Sequence, residues 1–133
     1  MESCIKQVQP TKKLKVIVID DHPDSRDLVE MYLQQKQAEV KTASSAEEAI
    51  ALLNEFQPEL IVSDIYMPEK DGFWLIEQLH LINQKSENYI SAIAVTAAAK
   101  EEEKLQILAA GYDGYLAKPF LFEDLTDLIN RVI

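Results

Sequence analysis

Three carboxylates, a hydroxyl and an amine stand in this sequence at the ends of short apolar runs. Asp20 and Asp21 follow Leu14-Lys15-Val16-Ile17-Val18-Ile19, Asp64 closes Leu60-Ile61-Val62-Ser63, Thr96 ends the run from Tyr89 to Val95, and Lys118 follows Gly114 to Ala117. The β-branched runs suit strands buried on both faces of a parallel sheet. Residues that follow such strands gather at one edge, where open α/β sheets bind ligands. Carboxylates crowded there repel, and one takes up a proton unless a cation neutralises them. A hard divalent ion fits an all-oxygen set, and Mg²⁺ fits best because it accepts a few carboxylates and keeps several waters. Zinc is disfavoured, since His22 and His80 are far apart in sequence and the one cysteine, Cys4, lies outside the pattern. With Lys118 and the Thr96 hydroxyl added, the set suits phosphoryl transfer, which needs a metal, a fixed cation and donors for the remaining oxygens. A carboxylate then serves as acceptor. Asp64, between a buried run and a loop punctuated by Pro68 and Asp71-Gly72, is the candidate.

These residues need a scaffold of alternating strands and helices. After the first strand, Pro23 opens a helix on which Leu28, Met31, Tyr32 and Gln35 recur at helical spacing to about Gln37. Glu39 to Ala43 has the mixed face of an edge strand. Ser45 with Glu48 reads as a capping box for a helix striped by Ala46, Ala49, Ile50 and Leu53, ending near Gln57-Pro58. Beyond Gly72 a helix carries Phe73, Ile76, Leu79 and Ile82 inward and runs to about Asn83. Trp74 lies about 100° around that helix from Phe73, which places it partly against a neighbouring helix. Ala97 to Ala110 reads as a helix stopped by Gly111, with Glu101-Glu102-Glu103 a solvated face, and Phe122, Leu125, Ile129 and Val132 stripe the last one. Five strand and helix pairs joined by short loops predict a doubly wound α/β domain with helices on both faces of a parallel sheet.

The 133 residues suffice for one domain, taken here as 14–133 behind a flexible polar leader, 1–13. A net charge of -10 argues against direct nucleic-acid binding and against anionic membranes. Neither a signal peptide nor a membrane-length apolar run is visible, so a cytoplasmic location is expected.

The motifs Val18-Ile19-Asp20-Asp21, Val62-Ser63-Asp64-Ile65-Tyr66-Met67-Pro68-Glu69-Lys70-Asp71-Gly72, Ala94-Val95-Thr96-Ala97 and Tyr115-Leu116-Ala117-Lys118-Pro119-Phe120 resemble those of bacterial-type response regulator receiver domains. The resemblance covers Leu14 to the C-terminus and implies the flavodoxin-like strand order 2-1-3-4-5. It implies that Asp64 accepts a phosphoryl group from a phosphohistidine on a histidine kinase or histidine phosphotransfer protein. Mg²⁺ would be held by Asp21, Asp64 and the Tyr66 carbonyl, with Asp20 acting through water. Lys118, Thr96 and the Ala97 amide would contact the phosphoryl oxygens, and the bond between Lys118 and Pro119 would be cis. Thr96 and Tyr115 would be the switch, changing the face of the fourth helix, fifth strand and fifth helix for a partner, a phosphorylation-dependent homodimer or a further effector module. Such a protein is a signalling switch and not an enzyme acting on other molecules.

In that family the residues two beyond the acceptor and two beyond the threonine, here Tyr66 and Ala98, tune phosphoryl lifetime. Bulky Tyr66 and small Ala98 imply slow self-dephosphorylation. His22 is expected at the rim of the site. Competing readings are a haloacid dehalogenase-type phosphatase, a flavodoxin-like carrier and a phosphorylation-independent scaffold. The phosphatase wants a second acid two residues beyond its nucleophile, where this chain has Tyr66 or His22, and the carrier wants a Ser/Thr/Gly-rich phosphate loop after the first strand, which is missing.

Overall fold

The computed structural model describes residues 13–97 and 100–133. The expected leader through Lys12, with Cys4, and Ala98 lie outside the described residues. The strands are β1 (Lys15–Ile19), β2 (Glu39–Ala43), β3 (Leu60–Ser63), β4 (Ser91–Thr96) and β5 (Gly114–Ala117). Between and after them come α1 (Pro23–Gln35), α2 (Ala46–Phe56), α3 (Gly72–Lys85), α4 (Glu101–Ala110) and α5 (Phe122–Val132). All strand pairs are parallel in the order β2-β1-β3-β4-β5, as expected.

Alternation along the strands divides the core into two layers. Ile17, Ile19, Ile61, Ala92 and Ala94 face α2, α3 and α4, whereas Val16, Val18, Leu60, Val62, Ile93 and Val95 face α1 and α5. Every residue of β3 and β4 is buried. The edge strand β2 keeps Glu39 and Lys41 in solvent, the pattern that discourages pairing with another chain.

Several elements differ from the sequence expectation for local reasons. On α1 the buried residues are Val29 and Leu33, while Leu28 and Met31 are each 55% exposed. Two apolar stripes with the same spacing share Tyr32, and the one bearing Val29 and Leu33 faces the sheet. Tyr32 then lies at the boundary, stacked on Phe122 at 4.6 Å and hydrogen-bonded through its hydroxyl to Thr126 Oγ1. At the start of α2, Ser45 Oγ accepts from the Glu48 amide at 3.1 Å, but Glu48 Oε1 accepts from the amide and hydroxyl of Ser44. The reciprocal arm of the capping box is therefore shifted by one residue. Strand β4 starts at Ser91 and not at Tyr89, because the Asn83 side chain occupies both backbone groups of Ile90. Helix α3 ends at Lys85, and α4 starts at Glu101, later than the expected Ala97. Trp74 is half-buried, packed against the α2–α4 layer with Lys70 Nζ 5.5 Å from its ring centre.

Asp71 and Gly72, expected as loop punctuation, form the start of α3. The Asp71 carboxylate caps the amides of Phe73 and Trp74 at 3.0 Å, and Gly72 packs directly on the segment that carries Asp64. A Cβ on Gly72 would come within 2.7 Å of Ile65 Cδ1 and 2.8 Å of Ile65 Cα, and backbone cannot yield as a side-chain tip can. Gly72→Ala is expected to cost roughly 2–4 kcal/mol of stability through overpacking. A lowered urea midpoint tests this; an unchanged midpoint would show that the loop yields freely.

Candidate functional site

Register sets the site. Ile19 is level with Ser63, Ser63 with Ala94, and Thr96 with Ala117, so the residues that follow leave the sheet along one edge. Backbone bonds carry the alignment past the strand ends: Asp20 N–H donates to Ala43 O, Asp64 N–H to Ile19 O and Lys118 N–H to Thr96 O. The four charged residues expected here converge. Lys118 Nζ lies 3.1 Å from Asp20 Oδ2 and 3.5 Å from Asp64 Oδ2, with both carboxylates nearly buried.

Burial pushes the Asp64 carboxyl above the ordinary aspartate value. Lys118 opposes that shift, Asp20 adds to it by repulsion, and the Ile65 and Tyr66 amides oppose it by hydrogen bonding. Asp64 Oδ1 accepts from the Ile65 amide at 2.7 Å. Asp21 Oδ1 is buried and, among the described residues, has no hydrogen-bond partner. His22 Nδ1 is 3.3 Å from that oxygen, outside hydrogen-bonding geometry, and the ring sits exposed on the rim as expected.

Asp20, Asp21, His22 and Asp64 each present a ligand atom within 4.8 Å of the others. This acidic cluster can hold a metal ion. Three carboxylates with one orphaned buried oxygen fit a hard divalent cation, for a buried charge without a partner is costly.

The remaining residues flank this cluster. Thr96 is fully buried at the end of β4 and Ala97 follows it into solvent. The Lys118-Pro119 bond is cis. Tyr115, on β5, is half-buried with Lys104 Nζ 5.9 Å from its ring centre. The Tyr66 side chain is 50% exposed and donates its hydroxyl to Glu103. Beside Asp64 a cavity of about 540 Å³ is lined by Leu28, Val29, Pro119, Phe120 and Phe122. A larger open groove of about 900 Å³, lined by Leu14, Glu59 and Tyr89 among others, contains none of these groups.

Residues 16–130 match the response regulator receiver domain family. The chain belongs to that family. Receiver domains are the signalling switches of two-component systems, and the fold and motifs above are those of one. This receiver is 42% identical over 125 residues, 94% of the chain and 92% of the relative, to an uncharacterised 14.6 kDa protein in the sodA1 3' region of Leptolyngbya boryana. It is 31% identical to the DNA-binding dual master transcriptional regulator RpaA of a Synechocystis species, matching 89% of the chain but only 47% of that protein. The chain spans about half the length of curated relatives such as RpaA. The chemotaxis protein CheY4 of Vibrio cholerae superposes with a TM-score of 0.83 at 30% identity, covering 92% of this chain and all of that one.

Contacts absent from the sequence reading also shape the receiver site. Arg26 donates through a guanidinium nitrogen to the Asp20 carbonyl at 3.1 Å. Buried Tyr112 donates to the Gly72 carbonyl at 2.8 Å, and burial raises its phenol far above the usual value. Arg26 carried a weak signal, one turn into the helix after the acidic pair. The contacts of Tyr112 and Glu103 cross between elements and leave no periodic trace. Among the described residues, no helix is long and apolar enough to cross a membrane.

Proposed function

We propose that this receiver is a phosphorylation-activated switch whose acceptor is Asp64. The observation that carries this reading is the placement of Lys118 Nζ between Asp20 and Asp64, beside an orphaned Asp21 oxygen. An Asp64 carboxylate oxygen attacks the phosphorus of a phosphohistidine on a histidine kinase or histidine phosphotransfer protein. The P–N bond breaks, the imidazole leaves, and an acyl phosphate forms on Asp64. Lys118 pairs with the phosphoryl oxygens, while the Thr96 hydroxyl and Ala97 amide donate to them. Asp21, Asp64 and the Tyr66 carbonyl would hold Mg²⁺, with Asp20 acting through water. When bound, the ion supplies charge neutralisation to the phosphoryl oxygens.

The acquired charge of about -1.5 to -2 draws Thr96 toward the phosphoryl group, and Tyr115 rotates from its half-buried position inward. The face of α4, β5 and α5 then favours a downstream protein, a second copy of the chain or a further effector module, as a population shift. The phosphodonor docks on the apolar cavity beside Asp64, where exposed Leu28 adjoins Pro119 and Phe120. The site of action is the cytoplasm, and neither nucleic acid nor membrane is bound directly by this acidic domain.

Intact mass after incubation with a small acyl phosphate tests the reading. One added phosphoryl group is expected, lost on treatment with hydroxylamine and absent when EDTA removes the metal. Should neither a small donor nor a phosphohistidine protein give that adduct, the scaffold reading would replace this one. Because Asp64 holds its proton above the ordinary carboxylate range, Mg²⁺ must displace that proton on acidification. The thermal shift produced by Mg²⁺ is therefore expected to shrink as pH falls, starting above the range of an ordinary aspartate. A shift constant down to the ordinary aspartate value would contradict it.

A further inference from the structure

Tyr66 joins two parts of the molecule. Its amide bonds the Asp64 carboxylate, whereas its hydroxyl donates to Glu103 Oε2 at 2.9 Å, in the first turn of α4. The strand order places the end of β4 between the end of β3 and β5, and α4 follows β4. The Tyr66 side chain therefore runs from the acceptor corner across the carboxyl end of β4, the place of Thr96 and Ala97. Tyr115 lies close by, for it helps raise the Tyr66 phenol and Glu103 acts on both. The ring is too exposed for core packing to hold it, and among the described residues its side-chain hydrogen bond is the one to Glu103. The neighbouring Glu101 and Glu102 face solvent, and Lys104 sits over Tyr115.

We propose that Glu103 is a positioning residue for the acceptor site: by holding the Tyr66 hydroxyl it keeps the aromatic ring across the end of β4 and shields an acyl phosphate on Asp64 from water. The inference rests on Asp64 being the acceptor. Hydrolysis of the acyl phosphate requires a water oxygen to attack phosphorus in line with the bond to Asp64. That bond then breaks, Asp64 leaves as a carboxylate, and the water's proton passes to the phosphate or to solvent. A tethered ring removes part of the solid angle from which that water approaches, while a ring freed from Glu103 swings into solvent.

The test is loss of the phosphoryl group, followed by intact mass after removal of the donor, in wild type, Glu103→Ala, Tyr66→Phe and the double variant. Wild type is expected to keep the group for minutes or longer. Each single variant should lose it about three- to tenfold faster, the range that deleting one exposed hydrogen bond to a carboxylate supports. The double variant should be no faster than either single one, because both remove the same contact. Glu103→Gln, which retains an acceptor oxygen, should recover most of the wild-type lifetime. Unchanged lifetimes in the single variants, or a double variant whose acceleration is the product of the two, would overturn the proposal. An absent adduct in wild type would instead remove the acceptor reading beneath it, so the two failures are distinguishable.

Discussion

Asp64→Asn is expected to abolish the phosphoryl adduct while raising the thermal midpoint of the metal-free protein. The two effects have opposite signs because the proposed acceptor is held against its electrostatic preference. Burial disfavours the Asp64 carboxylate, Asp20 repels it, and Lys118 with the two amides only partly compensates, so its pKa in the fold is raised. A raised acid favours folding where it is protonated. That contribution is fully present below the unfolded-state pKa and is lost as pH rises through the folded one. At neutral pH the ionised side chain is thus a net cost, and a neutral amide of the same shape removes it. A higher midpoint than that of wild type is expected. The amide is a poor nucleophile, so no adduct should form with any donor. Scanning calorimetry in EDTA and intact mass in Mg²⁺ read the two arms. An adduct that persists in the variant would mean another acceptor, and a lowered midpoint would mean that Lys118 already overcompensates the burial.

The charged part of this site is the part the sequence made visible, and the reason is topological. Asp20, Asp64 and Lys118 each follow a strand of a parallel sheet, and parallel register carries residues after neighbouring strands to one edge. Position in the chain therefore converts directly into position in space. The same holds for the edge placement of β2 and for the double-sided core, whereas the strand order came from the family resemblance and not from chain position. Contacts between side chains of different elements follow no such rule. Tyr66 with Glu103 and Tyr112 with Gly72 depend on where α4 and the loop before β5 come to rest. No periodicity encodes that. Helix α1 shows the complementary difficulty, where two stripes of equal spacing competed and only packing decided that Val29 and Leu33 go inward. Leu28, left outside, then borders the cavity beside Asp64, so the misread face is the one on which the proposed phosphodonor would dock.

Lys118→Ala is expected to slow phosphoryl loading about 10²- to 10³-fold, the usual consequence of removing a fixed group that stabilises transition-state charge, while leaving Mg²⁺ binding intact or tighter. The amine sits between Asp20 and Asp64 at 3.1 and 3.5 Å, where its single positive charge offsets part of their combined negative charge. Its loss leaves two nearly buried carboxylates facing each other and an orphaned Asp21 oxygen beside them. Stability should fall by roughly 1–3 kcal/mol, less than for a fully buried pair because the lysine side chain is 26% exposed. Added Mg²⁺ meets a site one charge more negative, so it restores more stability in the variant than in wild type. It is not expected to restore the loading rate, because an ion held by the carboxylates would supply charge neutralisation in addition to the fixed amine and not in its place. Lys118→Arg keeps the charge but replaces a compact ammonium with a planar fork, and an intermediate rate is expected from it. The decisive comparison is the loading rate at saturating Mg²⁺ against the Mg²⁺-induced thermal shift. A variant that loads at the wild-type rate would strip Lys118 of its part in transfer and leave it as a charge balance for the acidic cluster alone.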